Sequence, residues 1–346
     1  MEVQVPIILP TFDFEAGQSV AVPGTVVVEL LDRLPTFVIV GMPASQVRET
    51  AERVRSAIAA AGFDFPKARA VVTLLALRGV LSPTGLDLPI ALAILAASGQ
   101  LTKTQAITLR DTVSWGELSL GGAVRPVRGS LTVLAAAARA SQHLLLPPDS
   151  GSLVPLGTEV HTLVEAVHRL DERLPIPPTL GETAPLAPAP ERILVIYGTR
   201  GAARFARSLV EGLTLPPEEA LGAALVHDAA GLVPRHPDAV PFRAPHHTVS
   251  AAGMLGSRTR SHPGEVHLAR HGVLLLDEFD EFYGTREVIL APGALAGVKI
   301  LVVSFHDFTR ERMPEDLAAK VEARREEILA QLRKLGEVQV LRGEQD

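Results

Sequence analysis

Residues 241–282, PFRAPHHTVSAAGMLGSRTRSHPGEVHLARHGVLLLDEFDEF, decide the fold class. Their centre is Val273-Leu274-Leu275-Leu276-Asp277-Glu278. A short apolar run ending on two carboxylates reads as a buried parallel strand with acids at its carboxyl edge. In nucleotide-hydrolysing folds the first of these acids holds Mg²⁺ and the second orients water. A core strand that merely turns into an acidic loop has the same letters, so LLLDE alone leaves both readings open.

Composition sets the outer bounds. A chain of 346 residues has room for two domains with sizeable cores. Its 33 basic and 39 acidic residues give a net charge of -6, so nucleic-acid contact requires local basic patches. With no cysteine, disulfides and thiolate metal sites are excluded. The opening residues MEVQVPIILP lack a basic region and a cleavage site, so no signal peptide is expected. Gly, Pro or charge interrupts every apolar run short of a membrane span. The expectation is a cytoplasmic protein with no membrane partner.

Upstream, residues 26–28, 37–40 and 70–76 read as strands, and a charged helix runs from Ala44 or Ser45 to about Ala61. Asp87 is placed to cap an apolar helix ending near Ser98. Residues 115–127 read as a hairpin about Gly121-Gly122, followed by a helix over 130–140 and a strand over 144–146. This is an α+β pattern over residues 1–173. Residues 174–190, LPIPPTLGETAPLAPAP, hold six prolines and read as a semi-rigid linker. An α/β core follows over 191–310, opening with the strand RILVI and a helix over 202–212. Residues 311–346 finish the chain with a helix over 314–335 and a strand over 338–341. In that helix Leu317, Val321, Ile328, Leu329 and Leu332 form the apolar stripe, with Glu322 and Arg325 on a solvated face.

The combination RAPHHT-x-S with PGE-x-HLA-x-HGVLLLDEF resembles the ATPase core of the ComM/YifB proteins, the magnesium-chelatase-like branch of the AAA+ superfamily. LPTFVIVGMP, GLDLPIALAILAASGQ and GELSLGGAVRPVRG match the same family's first domain. The resemblance implies a Lon-protease-like α+β domain followed by a truncated α/β P-loop domain. It implies ATP and Mg²⁺ as cofactors, DNA as a partner, and a homo- or hetero-oligomeric ring. It places the Lon serine at or near Gly85 and the lysine at or near Leu131, although residues 111–170 contain no lysine. A serine–lysine protease is therefore not expected. Ser82 and Thr84 are nearby hydroxyls, and the spacing of Ser114 and His143 suggests no pair.

The phosphate loop departs from the family pattern G-P-P-G-T-G-K-T. Here the residues are Ile196-Tyr197-Gly198-Thr199-Arg200-Gly201-Ala202-Ala203, so Ala202 replaces the lysine and Ala203 the Mg²⁺-holding hydroxyl. Gly198, Arg200, Gly201 and Arg204 remain as candidate phosphate contacts. Asp277 would hold Mg²⁺ only with nucleotide bound, and Asp277 with Glu278 reads as vestigial, paired with a neighbour such as Arg243. His306 stands where the family has an asparagine that senses the γ-phosphate. Two functions stay open: a binding or assembly subunit in DNA recombination and uptake that does not hydrolyse ATP, or a DNA-stimulated ATPase with a rearranged loop. Arg243, His246, His247, Arg258 and Arg260 are the DNA-contact candidates by the family's channel region. His267 and His271, four apart, could share a helix face and hold a metal, but the family motif accounts for most of the histidines without one.

Overall fold

A computed structural model describes residues 2–75, 80–148, 157–197, 201–232, 236, 238–305 and 315–342. The chain separates into two compact units. The first gathers Met1–Asp13, Ser19–Leu180 and His227–Arg235; the second gathers Phe14–Gln18, Gly181–Val226 and His236–Asp346. Both units mix helices with strands, and parallel pairs occur in each.

In the first unit β1 (Glu2–Asp13), β2 (Gln18–Leu31), β3 (Thr36–Val40) and β4 (Arg69–Leu75) form a sheet of order β1-β2-β4-β3. Strands β2 and β4 are antiparallel, and β3 runs parallel to β4. Helix α1 (Ala44–Ala60) buries Thr50, Val54, Ala57 and Ile58, an i, i+4, i+7, i+8 stripe. Helix α2 (Asp87–Ala97) is buried at every position, which explains its lack of a polar face. The two helices pack against each other. Asp87 does not cap α2: Leu86 holds the cap position and Asp87 is the first helical residue. Its carboxylate instead accepts from Arg53 Nε at 2.6 Å and from the Leu118 N–H at 3.2 Å. Burial pushes this carboxyl up to about 6, and Arg53 works against the rise.

The rest of the unit contains α3 (Lys103–Arg110), β5 (Thr112–Ser114), the short hairpin β6 (Glu117–Leu118) and β7 (Val124–Arg125), α4 (Ser130–Arg139), β8 (His143–Leu146), β9 (Thr158–Glu159) and α5 (Leu163–Arg169). Thr102 and Gln105 make a reciprocal capping box at the start of α3. Strands β5, β8 and β9 form a second, parallel sheet.

The second unit is built on β10 (Arg192–Tyr197), α6 (Ala202–Ser208), α7 (Pro217–Ala230), β11 (Phe242–Arg243), α8 (Ala251–Leu255), α9 (Glu265–Leu268), β12 (Val273–Leu276), α10 (Arg286–Ile289), β13 (Ile300–Phe305), α11 (Glu315–Leu335) and β14 (Val338–Arg342). Asp228 of α7 counts with the first unit and accepts the Leu131 N–H at 3.0 Å at the start of α4. Burial pushes Asp228 up to about 7 against the backbone N–H bonds of residues 129–132. All four strand pairs of the sheet β11-β12-β13-β10-β14 are parallel. Alternate residues serve two cores, as a sheet buried on both faces requires. Ile193, Val195, Leu274, Leu276, Leu301 and Val303 pack with Ile328, Leu329 and Leu332 of α11. Leu194, Ile196, Val273, Leu275 and Val302 pack on the other face with Ala202 and Ala206 of α6.

Candidate functional site

The helices following β10 and β13 thus lie on opposite faces of one parallel sheet. The carboxyl ends of those two adjacent strands are a topological switch point, the place at which open α/β sheets bind ligands. Asp277 and Glu278 follow β12 at this edge. Ser304, fully buried in β13, donates its hydroxyl proton to Asp277 Oδ1 and accepts the Glu278 N–H at 3.0 Å. Glu278 has φ 54, a left-handed conformation that costs a non-glycine residue energy and that recurs at functional sites. The neighbouring strand therefore holds the Asp277 carboxylate and the backbone of Glu278.

Of the phosphate-loop residues, Gly198, Thr199 and Arg200 lie outside the described residues, as do His306 and Asp307. Gly201, at φ 93, leads into α6 without a side-chain cap. Ala202 is 2% exposed and sits in the apolar cluster with Leu194, Ile196, Val273 and Leu275. Ala203 and Arg204 face solvent.

The DNA-contact candidates divide. Arg243 does not pair with Asp277 or Glu278; its Nε and Nη2 bind the two oxygens of Glu265 at 2.6 and 2.8 Å. That bidentate pair raises the guanidinium pKa further, the hydrogen bond being the main cause. Arg258 and Arg260 are exposed on a short turn, with the Arg258 guanidinium 5.5 Å from the Phe14 ring. His246 is exposed, its ring 4.0 Å from that of His247, which meets Phe282 edge-on at 6.4 Å.

His267 and His271 do not share a helix face. Helix α9 ends at Leu268, and His271 lies beyond it at φ 59. His267 Nδ1 accepts the Gly264 N–H at 3.2 Å, and His271 Nε2 accepts from Arg270 Nε at 3.2 Å. Among the described residues no group of three or more His, Asp or Glu side chains could hold a metal ion.

Two residues at this edge have roles that the sequence does not indicate: Ser304, and Arg325, which the helix pattern places on a solvated face. Arg325 is 7% exposed, not solvated. Its guanidinium lies 5.8 Å from the Tyr197 ring and 5.6 Å from the Phe305 ring, and binds Asp280 at 3.2 Å. It ties α11 to the turn that follows the two acids.

The comparisons with known proteins agree with this architecture. The model for subunit ChlI of Mg-chelatase matches residues 26–150, and the model for magnesium chelatase, subunit ChlI, matches residues 184–292. YifB of Salmonella typhimurium is 32% identical over 295 residues, covering 76% of this chain and 58% of that protein. Competence protein ComM of Haemophilus influenzae is 30% identical over 295 residues, covering 75% and 57%. The chain belongs to the ComM/YifB family.

It spans 58% of the length of the Salmonella YifB protein. At Gly85, the position that the resemblance gives to a Lon-type serine, there is no room for a side chain. A Cβ on Gly85 would fall 2.3 Å from Cε2 of Trp115, a side chain that is itself fully buried. Ser82 and Thr84 hydrogen-bond each other at 3.0 Å. Among the described residues, Ser114 Oγ and His143 Nδ1 are each buried without a hydrogen-bond partner, so they are not hydrogen-bonded to each other as a catalytic pair would be. No helix among the described residues is long and apolar enough to cross a membrane.

Proposed function

We propose that this ComM/YifB chain is an AAA+-related subunit that acts in DNA processing by binding and assembly, without hydrolysing ATP. The observation that carries the reading is the environment of Ala202. A phosphate-loop lysine must leave the helix start toward the phosphates, whereas Ala202 is packed into the apolar cluster beneath α6. Ala203 offers no oxygen to a metal, and one oxygen of Asp277 accepts a hydrogen bond from the Ser304 hydroxyl. The residues described at the sheet edge therefore do not fit Mg²⁺ and ATP as a P-loop site would hold them. In this reading Asp277 and Glu278 are a structural remnant held by Ser304.

The first unit is taken as a Lon-like domain without proteolysis, which the closed position at Gly85 supports. The name "Competence protein ComM" of one relative supports a role in DNA uptake and recombination. Assembly into a homo- or hetero-oligomeric ring and a place in the cytoplasm belong to the same proposal. DNA would meet the exposed Arg258 and Arg260, with His246 and His247 beside the sheet edge, while Arg243 is committed to Glu265. One observation favours the alternative of an active ATPase: the left-handed backbone of Glu278 stores strain of the kind found at working sites.

Titration of the chain with a fluorescent ATP analogue and Mg²⁺ separates the two. No saturable binding in the micromolar range is expected. Micromolar affinity that Asp277→Asn abolishes would overturn the reading.

A further inference from the structure

The sheet β1-β2-β4-β3 has one face on the core and another that nothing in its own unit explains. Side chains alternate along each strand, and paired residues share a face. The inner face includes Val26, Val28, Val72 and Leu74, all buried. The outer face should then be polar. Instead Val27, Leu31, Val38, Val40, Val71 and Leu75 outnumber Thr25, Thr36, Thr73 and two charged residues on it, with Val40 48% and Leu75 50% exposed. Contiguous apolar surface of this kind marks an interaction site. Strand β3 is also an edge strand of this sheet, and residues 34–44, LPTFVIVGMPA, contain none of the charges that usually protect such an edge.

The two charged side chains on the face indicate the partner. Glu29 is opposite Val71, and Arg69 is opposite both Leu31 and Thr36, so the acid and the base are diagonal neighbours. Glu29 is exposed and Arg69 half-buried, and among the described residues neither makes an ion pair. One acid beside one base carries no net charge, so the face does not suit a nucleic acid or an anionic membrane. A two-fold axis through the patch would bring Glu29 of each copy over Arg69 of the other, satisfying both charges while the valines and leucines lose water.

We propose that the outer face of β2, β4 and β3 packs against the same face of a second copy of this chain. The contact is isologous and requires neither nucleotide nor DNA, so it stands or falls independently of the ATP and DNA readings above, and a ring would need a second, head-to-tail contact.

Analytical ultracentrifugation of the full chain across the micromolar range, without nucleotide or DNA, tests it. The wild type should sediment as a dimer. Val40→Asp and Leu75→Asp, at positions exposed enough to leave the fold intact by circular dichroism, should each yield monomer. Glu29→Arg and Arg69→Glu should each weaken association by roughly tenfold or more, because like charges then face each other across the axis. Combining those two swaps should restore it. A wild type that stays monomeric, a dimer indifferent to both aspartates, or a double swap no better than either single would overturn the proposal. Protection of the face only when a different protein or a nucleic acid is added would also overturn it.

Discussion

Arg325 shows how one residue can stabilise the edge on which a functional reading depends. Its side chain is largely buried beside two aromatic rings and paired with Asp280, a carboxylate whose side chain is 17% exposed. Removing one member of a buried pair leaves the other desolvated without compensation, which costs about 3–5 kcal/mol. Arg325→Ala should therefore destabilise the chain by ~3 kcal/mol in urea unfolding, beyond the loss expected at a surface arginine. Arg325→Met keeps the stem packed on Tyr197 and Phe305 and fills more of the site, but Asp280 stays unpaired, so it should recover only part of that loss. If Arg325→Ala unfolds at the wild-type urea midpoint, the pair does not hold α11 to the acidic turn.

At the level of elements, the stretch from α9 to β12 predicts a pH dependence. His267 and His271 are both hydrogen-bond acceptors, and burial, with Arg270 as the next cause, lowers each to about 4. Glu219 works the other way on His271, while Lys299 adds to the lowering. In the unfolded chain both rings titrate near 6.5. Between those values the unfolded chain binds more protons than the folded one, so stability from this segment is complete above 6.5 and is lost as pH falls toward 4. Asp87 and Asp228, raised to about 6 and about 7, have the opposite sign and favour the folded state more as pH falls. Net melting curves would therefore mix the two trends. The difference isolates them: a His267→Gln, His271→Gln double variant should lose less melting temperature between pH 7 and 5 than the wild type, and an equal loss would remove the assignment. Legibility in the sequence also followed the elements. The strands β10, β12 and β13 were readable because a sheet covered on both faces writes continuous apolar runs. Strand β1 was not, because Pro6 and Pro10 interrupt it, which only a strand at the sheet's margin tolerates. Helix α7, PEEALGAALVHDAA, has an internal glycine and no clear polar face. On α11 the pattern marks Ile328, Leu329 and Leu332, which are buried, but it reads Arg325 as solvated, and Arg325 is buried too. Ser304 carried no motif at all: its role comes from the β12–β13 pairing, which places it beside Asp277 and which no local pattern encodes.

For the whole molecule, charge limits how DNA could be held. With a net charge of -6 the chain repels a polyanion at long range, so any affinity must come from a few local cations. Arg258 and Arg260 are exposed, and Arg258 rests on Phe14, an arrangement that presents the guanidinium to solvent. Arg243 cannot serve equally, because binding phosphate would mean breaking its two bonds to Glu265. Each arginine that neutralises a phosphate releases condensed counterions, so the logarithm of the binding constant falls with the logarithm of salt by about 0.9 per contact on a duplex. Arg258→Ala and Arg260→Ala should each weaken DNA binding across unrelated sequences and reduce the salt slope by about 1, whereas Arg243→Ala should leave the slope unchanged while lowering stability. Fluorescence anisotropy with a labelled duplex over a salt series measures all three. A slope that Arg243→Ala alone reduces would move the phosphate contact from the exposed turn to the sheet edge, and the Glu265 pair would then have to open when DNA binds.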